Sequence, residues 1–246
     1  MKREFVKTAN AKLFRNHILA AQNRGARESG LVAVTGRPGE GKTHTLHNWM
    51  MEFGAVMLTA QVDWTPRRML MDLAEKLKID ATRGYERRME AFIAEKDITI
   101  IVDEAGFTLA NNAACLERLR GITDKSSTLL VLVFMPHDIS RLDAPRLKQL
   151  RDRINTQCDF QASTLEDVAL ACAQLSEVLI APDLVNHILK QTDGCMRLVM
   201  NTIARIEGAA RMRPIESRAV PMGMNDIKGA DLFKGLVRPG RKGAVA

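Results

Sequence analysis

The chain has 246 residues, 46% of them hydrophobic and 26% charged, enough to bury one α/β core and a small accessory domain. Its net charge of +7 implies an anionic partner. No apolar stretch approaches the roughly 18–20 residues of a membrane-spanning helix, and the charged amino terminus has no apolar signal region, so a cytoplasmic protein with no membrane partner is expected.

Leu13, Phe14, Ile18 and Leu19 stand at helical spacing and predict a helix over 10–23, closed by a glycine-containing turn at 24–30. Leu31-Val32-Ala33-Val34-Thr35 is a short apolar run suited to a buried strand. Directly after it comes Gly36-Arg37-Pro38-Gly39-Glu40-Gly41-Lys42-Thr43, which satisfies G-x-x-x-x-G-K-S/T, the Walker A pattern. In such a loop the glycines let successive backbone N–H groups curl around phosphates, while the lysine reaches the β/γ-phosphates and the threonine holds Mg²⁺. A helix from Thr43 to Phe53 then turns its positive dipole end to the anion. Gly36, Pro38, Gly39, Glu40, Gly41, Lys42, Thr43 and His44 are the expected nucleotide-binding residues.

A second strand is predicted over 55–59, then a helix over 66–77 with Pro66 early in its first turn, and another over 85–94. Ile98-Thr99-Ile100-Ile101-Val102-Asp103-Glu104 reads as a strand ending in two acids, a Walker B pattern 61 residues beyond Lys42. It sets carboxylates at the carboxyl edge of a parallel sheet, where Asp103 would order Mg²⁺ and Glu104 polarise an attacking water as general base. Two motifs in this order point to hydrolysis of a nucleoside triphosphate with Mg²⁺, which the resemblance given below makes ATP. A helix over 113–122 and a strand over 129–134 follow, the strand ending at Met135-Pro136-His137-Asp138. Next come a short basic helix over 146–154 and a weak strand around 158–160.

From Leu165 the pattern is wholly helical, over 165–175, 183–191 and 196–211, which sets a boundary near residue 162. The expected organisation is an α/β nucleotide-binding domain (1–162), a helical domain (163–210) and a basic, flexible tail (211–246). The tail carries eight basic residues against three acids, and includes Arg238-Pro239-Gly240-Arg241-Lys242-Gly243. Cys115, Cys158, Cys172 and Cys195 have neither disulfide nor zinc spacing, and His44 and His47 share a helix face without a third ligand.

An α/β P-loop domain with a parallel sheet, followed by a small helical lid, resembles the AAA+ ATPases. Over roughly residues 10–210 the chain is most similar to the transposition target-selection ATPases, the phage Mu B protein and TnsC-like regulators, with their ExeA-like relatives. Arg146-Leu147-Lys148-Gln149-Leu150-Arg151-Asp152-Arg153-Ile154 resembles the segment that carries an arginine finger, and Thr192-Asp193-Gly194-Cys195-Met196-Arg197-Leu198-Val199-Met200-Asn201 the lid segment bearing the sensor-2 arginine. The resemblance implies that Arg153 or Arg151, with Arg153 favoured, acts on a neighbouring subunit's γ-phosphate, and that Arg197 meets the nucleotide. It also implies that Thr65, Arg67 and Arg68, in Gln61-Val62-Asp63-Trp64-Thr65-Pro66-Arg67-Arg68, contact duplex DNA through its phosphates. Two departures stand out. None of Pro136, His137 and Asp138 is a clear sensor-1 residue, and nothing after the lid matches the folded C-terminal domain of the Mu B protein. The implied function is an ATPase that winds on double-stranded DNA as a homo-oligomer, in a helical filament, and delivers it to a transposase. A replication helicase loader of the DnaC or IstB kind and a nucleotide-gated DNA-binding scaffold with little turnover are the alternatives.

Overall fold

The computed structural model describes residues 1–25, 30–110, 113–213, 220–227 and 232–233. The chain divides into two compact units: Leu13–Gly36 with Lys42–Phe160, and Met1–Lys12 with Arg37–Gly41 and Gln161–Ala246.

The first unit is built on five parallel strands, β1 (Leu31–Thr35), β2 (Val56–Thr59), β3 (Ile100–Asp103), β4 (Leu130–Phe134) and β5 (Ile154–Asp159), in the order β2-β3-β4-β1-β5. Every residue of β1, β3 and β4 is buried, because helices cover both faces and no strand face is left for polar residues. Successive side chains go to opposite faces. Ala33, Ile100, Val102, Leu130 and Leu132 join a core with Leu73, Met89 and Leu116. These last three lie on α3 (Pro66–Lys76), α4 (Tyr85–Lys96) and α5 (Ala114–Ser126). Val32, Val34, Ile101, Val131 and Val133 turn the other way, to Phe14, Ile18, Leu46 and Trp49 of α1 (Ala9–Gln22) and α2 (Lys42–Phe53). The strand separating the two motifs in the sheet is β4, paired to β1 on one side and β3 on the other, whereas along the sequence it is β2.

The expected helix over 146–154 is corrected. A 3₁₀ turn at Pro145–Leu147 leads into α7 (Lys148–Arg151), and Ile154 opens β5, paired with Leu31 and only 8% exposed. Burying a β-branched side chain beside β1 outweighs one more turn of an exposed basic helix. A helix that the sequence pattern did not reveal, α6 (Pro136–Leu142), follows β4 directly. Pro136 sits in its first turn, and Asp138 reaches back to accept the Met135 N–H at 3.2 Å.

In the second unit α8 (Leu165–Leu175), α9 (Pro182–Thr192) and α10 (Met196–Arg211) close around Val168, Leu184, Ile188, Val199 and Ile203, with Val6 of the amino-terminal segment in the same core. Thr164 and Asp167 form a reciprocal cap on α8, their side chains accepting each other's backbone N–H at 3.2 and 3.1 Å. Part of the stretch expected as a tail packs here. Met222, Ile227 and Leu232 are buried in this core, and the Met222 N–H donates to the Leu179 carbonyl at 2.7 Å. The run at 238–243 lies outside the described residues, none of whose helices is long and apolar enough to cross a membrane.

Candidate functional site

β1 ends at Thr35 and releases the chain into the glycine-rich loop. Gly39 and Gly41 take φ of +85° and +89°, left-handed backbone that a side chain would strain. Glu40 is buried, its carboxylate accepting the Arg37 N–H at 2.6 Å. The Glu40 N–H donates in turn to the Arg37 carbonyl at 3.4 Å, so this residue shapes the loop from within. Lys42 opens α2 and its Nζ donates to the Gly36 carbonyl at 2.6 Å. Thr43 and His44 are exposed on the same helical turn.

The second motif meets the first at one point. Thr43 Oγ1 donates to Asp103 Oδ2 at 2.8 Å, while Asp103 Oδ1 accepts the Glu104 N–H at 2.9 Å. Asp103 is buried at the end of β3, and Glu104 beyond it is exposed. Glu104 holds φ of 55°, a conformation that costs a non-glycine residue about 1–3 kcal/mol and that clusters at functional sites. A hydroxyl and a carboxylate side by side form the hard oxygen pair that suits Mg²⁺, so the residues present fit that ion.

Arg197 lies in the first turn of α10, and its N–H donates to the Gly39 carbonyl at 3.1 Å. Beside it, Cys195 Sγ lies 3.8 Å from the same carbonyl, and a Cβ added to Gly39 would stand 2.5 Å from that sulfur. Asn10 of α1 donates from Nδ2 to the Gln161 carbonyl at 2.7 Å and to the Glu40 carbonyl at 3.4 Å. Sequence reasoning missed both Cys195 and Asn10. The only signal for Asn10 was an amide among apolar residues, which the fold buries to 6% exposure; Cys195 gave none.

The remaining site residues stand elsewhere. Arg151 Nε is 3.5 Å from Asp143 Oδ1 and Arg153 Nη1 is 3.6 Å from Asp124 Oδ2. Thr65 caps α3, accepting the Arg68 N–H at 3.2 Å. The Arg68 guanidinium is engaged by Asp63 and by Gln61 Oε1, while Arg67 is exposed. Trp64 is buried and its Nε1 donates to Asp72 at 2.8 Å, so it both fills the core and braces the start of α3.

A family model described as an AAA domain matches residues 25–142. Cdc6p from Pyrobaculum aerophilum superposes with a TM-score of 0.63 at 20% identity, over 85% of this chain and 65% of that one. Domain III of the Thermotoga maritima replication initiation protein DnaA gives 0.59 at 16% identity, over 96% and 95% of the two chains. The architecture is that of the AAA+ ATPases. Drosophila ORC bound to DNA shares the fold with a TM-score of 0.59 at 14% identity, over 92% of this chain and 60% of that one. No curated protein matches the sequence. Within that fold, β1, the glycine-rich loop and α2 carry the Walker A pattern, and the end of β3 carries the acidic one.

Proposed function

We propose that the chain is an ATPase that hydrolyses ATP to ADP and phosphate with Mg²⁺. The observation that carries this reading is the Thr43–Asp103 hydrogen bond, which brings the two motifs to one point. The N–H groups of Gly39, Gly41, Lys42 and Thr43 would bind the phosphates, with Lys42 adding a cation and Arg197 a second. Thr43 and Asp103 would hold Mg²⁺, which when bound neutralises charge on the β- and γ-phosphate oxygens. Glu104, exposed beside buried Asp103, takes the proton of the attacking water. Lys42→Ala should abolish ATP binding in a folded protein, measured by calorimetric titration; unchanged affinity would place the nucleotide elsewhere.

We propose further that the ATP-bound protein oligomerises on double-stranded DNA without strong sequence preference, as a helical filament, and presents that DNA to a transposase in the cytoplasm. The net positive charge, the exposed Arg67 next to the cap of α3, and a fold shared with an ORC whose structure was determined on DNA support this reading. Electron microscopy with ATP, Mg²⁺ and long duplex DNA should show filaments, and closed rings or dispersed monomers would overturn that part. Capture of a replicative helicase in place of a transposase would transfer the protein to the loader class.

A further inference from the structure

Asp138 is a carboxylate with 5% exposure whose only role so far is to cap the start of α6. In the first turn of α6 it accepts the Met135 N–H at 3.2 Å and Arg141 Nη1 at 2.9 Å, with His137 Nε2 at 3.5 Å. The same Arg141 nitrogen donates to the Gly106 carbonyl at 3.3 Å. Gly106 lies flat against the carboxylate, where an added Cβ would stand 2.6 Å from Asp138 Cγ.

Gly106 belongs to the 3₁₀ turn Ala105–Leu109, which begins directly after Glu104. That turn is tied at both ends. The Glu104 carbonyl accepts the Phe107 N–H at 3.1 Å, Thr108 Oγ1 donates to the Ala105 carbonyl at 2.6 Å, and Ala105 is wholly buried. Since Glu104 sits in a left-handed conformation, it needs surroundings that over-determine its backbone. Asp103 supplies one side of that restraint through the Glu104 N–H, and α6 supplies the other. A buried carboxylate is costly unless paired, and here its pairing with Arg141 also fixes the Gly106 peptide.

We infer that Asp138 and Arg141 are positioning residues for Glu104, clamping the turn behind it through Gly106. This rests on the proposed ATP hydrolysis. The clamp acts on the aim of the base and leaves the phosphate-binding loop alone, so its loss separates turnover from ATP affinity, which a merely structural role would not do.

The test uses the full chain with Asp138→Asn and Arg141→Ala, singly and together. ATP affinity, turnover under saturating ATP, and amide hydrogen exchange of residues 104–109 are read for each. Turnover should fall roughly ten-fold or more, a part of the roughly hundred-fold or more that a general base contributes, with ATP affinity within about two-fold of the unaltered chain. Exchange at 104–109 should quicken, and the double variant should be no worse than the worse single one, as for residues acting as one unit. If Asp138→Asn does not fold, Arg141→Ala carries the same test at a side chain that is 50% exposed. Unchanged exchange, unchanged turnover, or losses that simply add would each overturn the clamp. An unaltered chain without turnover, with exchange still quickened in the variants, would instead sink the hydrolysis reading and leave the clamp on the turn standing.

Discussion

Glu104 and its neighbour Asp103 are both carboxylates at the end of β3, yet one is exposed and the other buried and hydrogen-bonded. Their environments would divide the proposed chemistry, the buried group being hydrogen-bonded to Thr43 and the exposed one open to water. Glu104→Gln should keep ATP affinity while phosphate release falls by about a hundred-fold or more, the contribution of a well-placed base. A variant with normal turnover would move the base to another residue. Gly39 presents a different constraint, a left-handed backbone with a sulfur at van der Waals distance. Gly39→Ala should cost about 1 kcal/mol or more from the backbone alone and further stability from overlap with Cys195. Cys195→Ala in the same chain should recover the second part and not the first. Thermal unfolding of the three variants checks this, and a Gly39→Ala protein as stable as the unaltered chain would mean that the loop relaxes freely.

At the level of strands and helices, burial sets reactivity as well as packing. Burial, with the charge of Asp159 adding to it, pushes the Cys158 thiol of β5 up to about 12, and burial pushes that of Cys172 in α8 up to about 11. Thiols in that range stay protonated and inert at pH 8. Iodoacetamide should therefore label these two positions only as fast as the protein unfolds, a rate read by mass spectrometry across a denaturant series; rapid labelling of both in the folded chain would contradict their burial. The elements most legible in the sequence were those decided by local pattern. β1 and β4 are largely unbroken apolar runs, and α8 and α10 begin and end where the helical pattern over 165–175 and 196–211 does. What escaped was decided by distant partners. Arg146 to Arg151 has helix-forming composition, but Ile154 leaves for the sheet because Leu31 offers it a buried edge. α6 has only seven residues, too few for an apolar period to show. Lys42, Thr43, Asp103 and Glu104 could be read because each motif is local. The Asn10–Gln161 and Cys195–Gly39 contacts join residues 151 and 156 positions apart, and no spacing rule reaches so far.

For the whole molecule, the proposed assembly places two arginine sets under test. Arg153 is ion-paired to Asp124 within its own chain, so serving a neighbour's γ-phosphate would require it to leave that partner. Mixing Arg153→Ala subunits with Lys42→Ala subunits should restore part of the turnover that each lacks alone, and no recovery at any ratio would return Arg153 to a purely internal ion pair. In the loop proposed to meet DNA, Arg67 is exposed and Arg68 is already neutralised by Asp63. Arg67→Ala should lower the salt slope of ATP-dependent duplex binding by about 0.9, and Arg68→Ala should lower it less. Equal slopes for both variants and the unaltered chain, by fluorescence anisotropy, would remove this loop from the DNA interface. The loop residues Arg37–Gly41 group with the helices α8 to α10, joined to them by the bond from Arg197 to Gly39. Whatever free energy a ligand exerts on that loop is thereby exerted on the helices too, and thermodynamic linkage runs with equal strength in both directions. A substitution such as Val199→Ala, buried in the helical core, should change ATP affinity by the same factor by which saturating ATP changes that substitution's effect on the helices' conformational equilibrium; titration calorimetry checks this, and unchanged affinity beside a shifted equilibrium would mean that loop and helices are uncoupled.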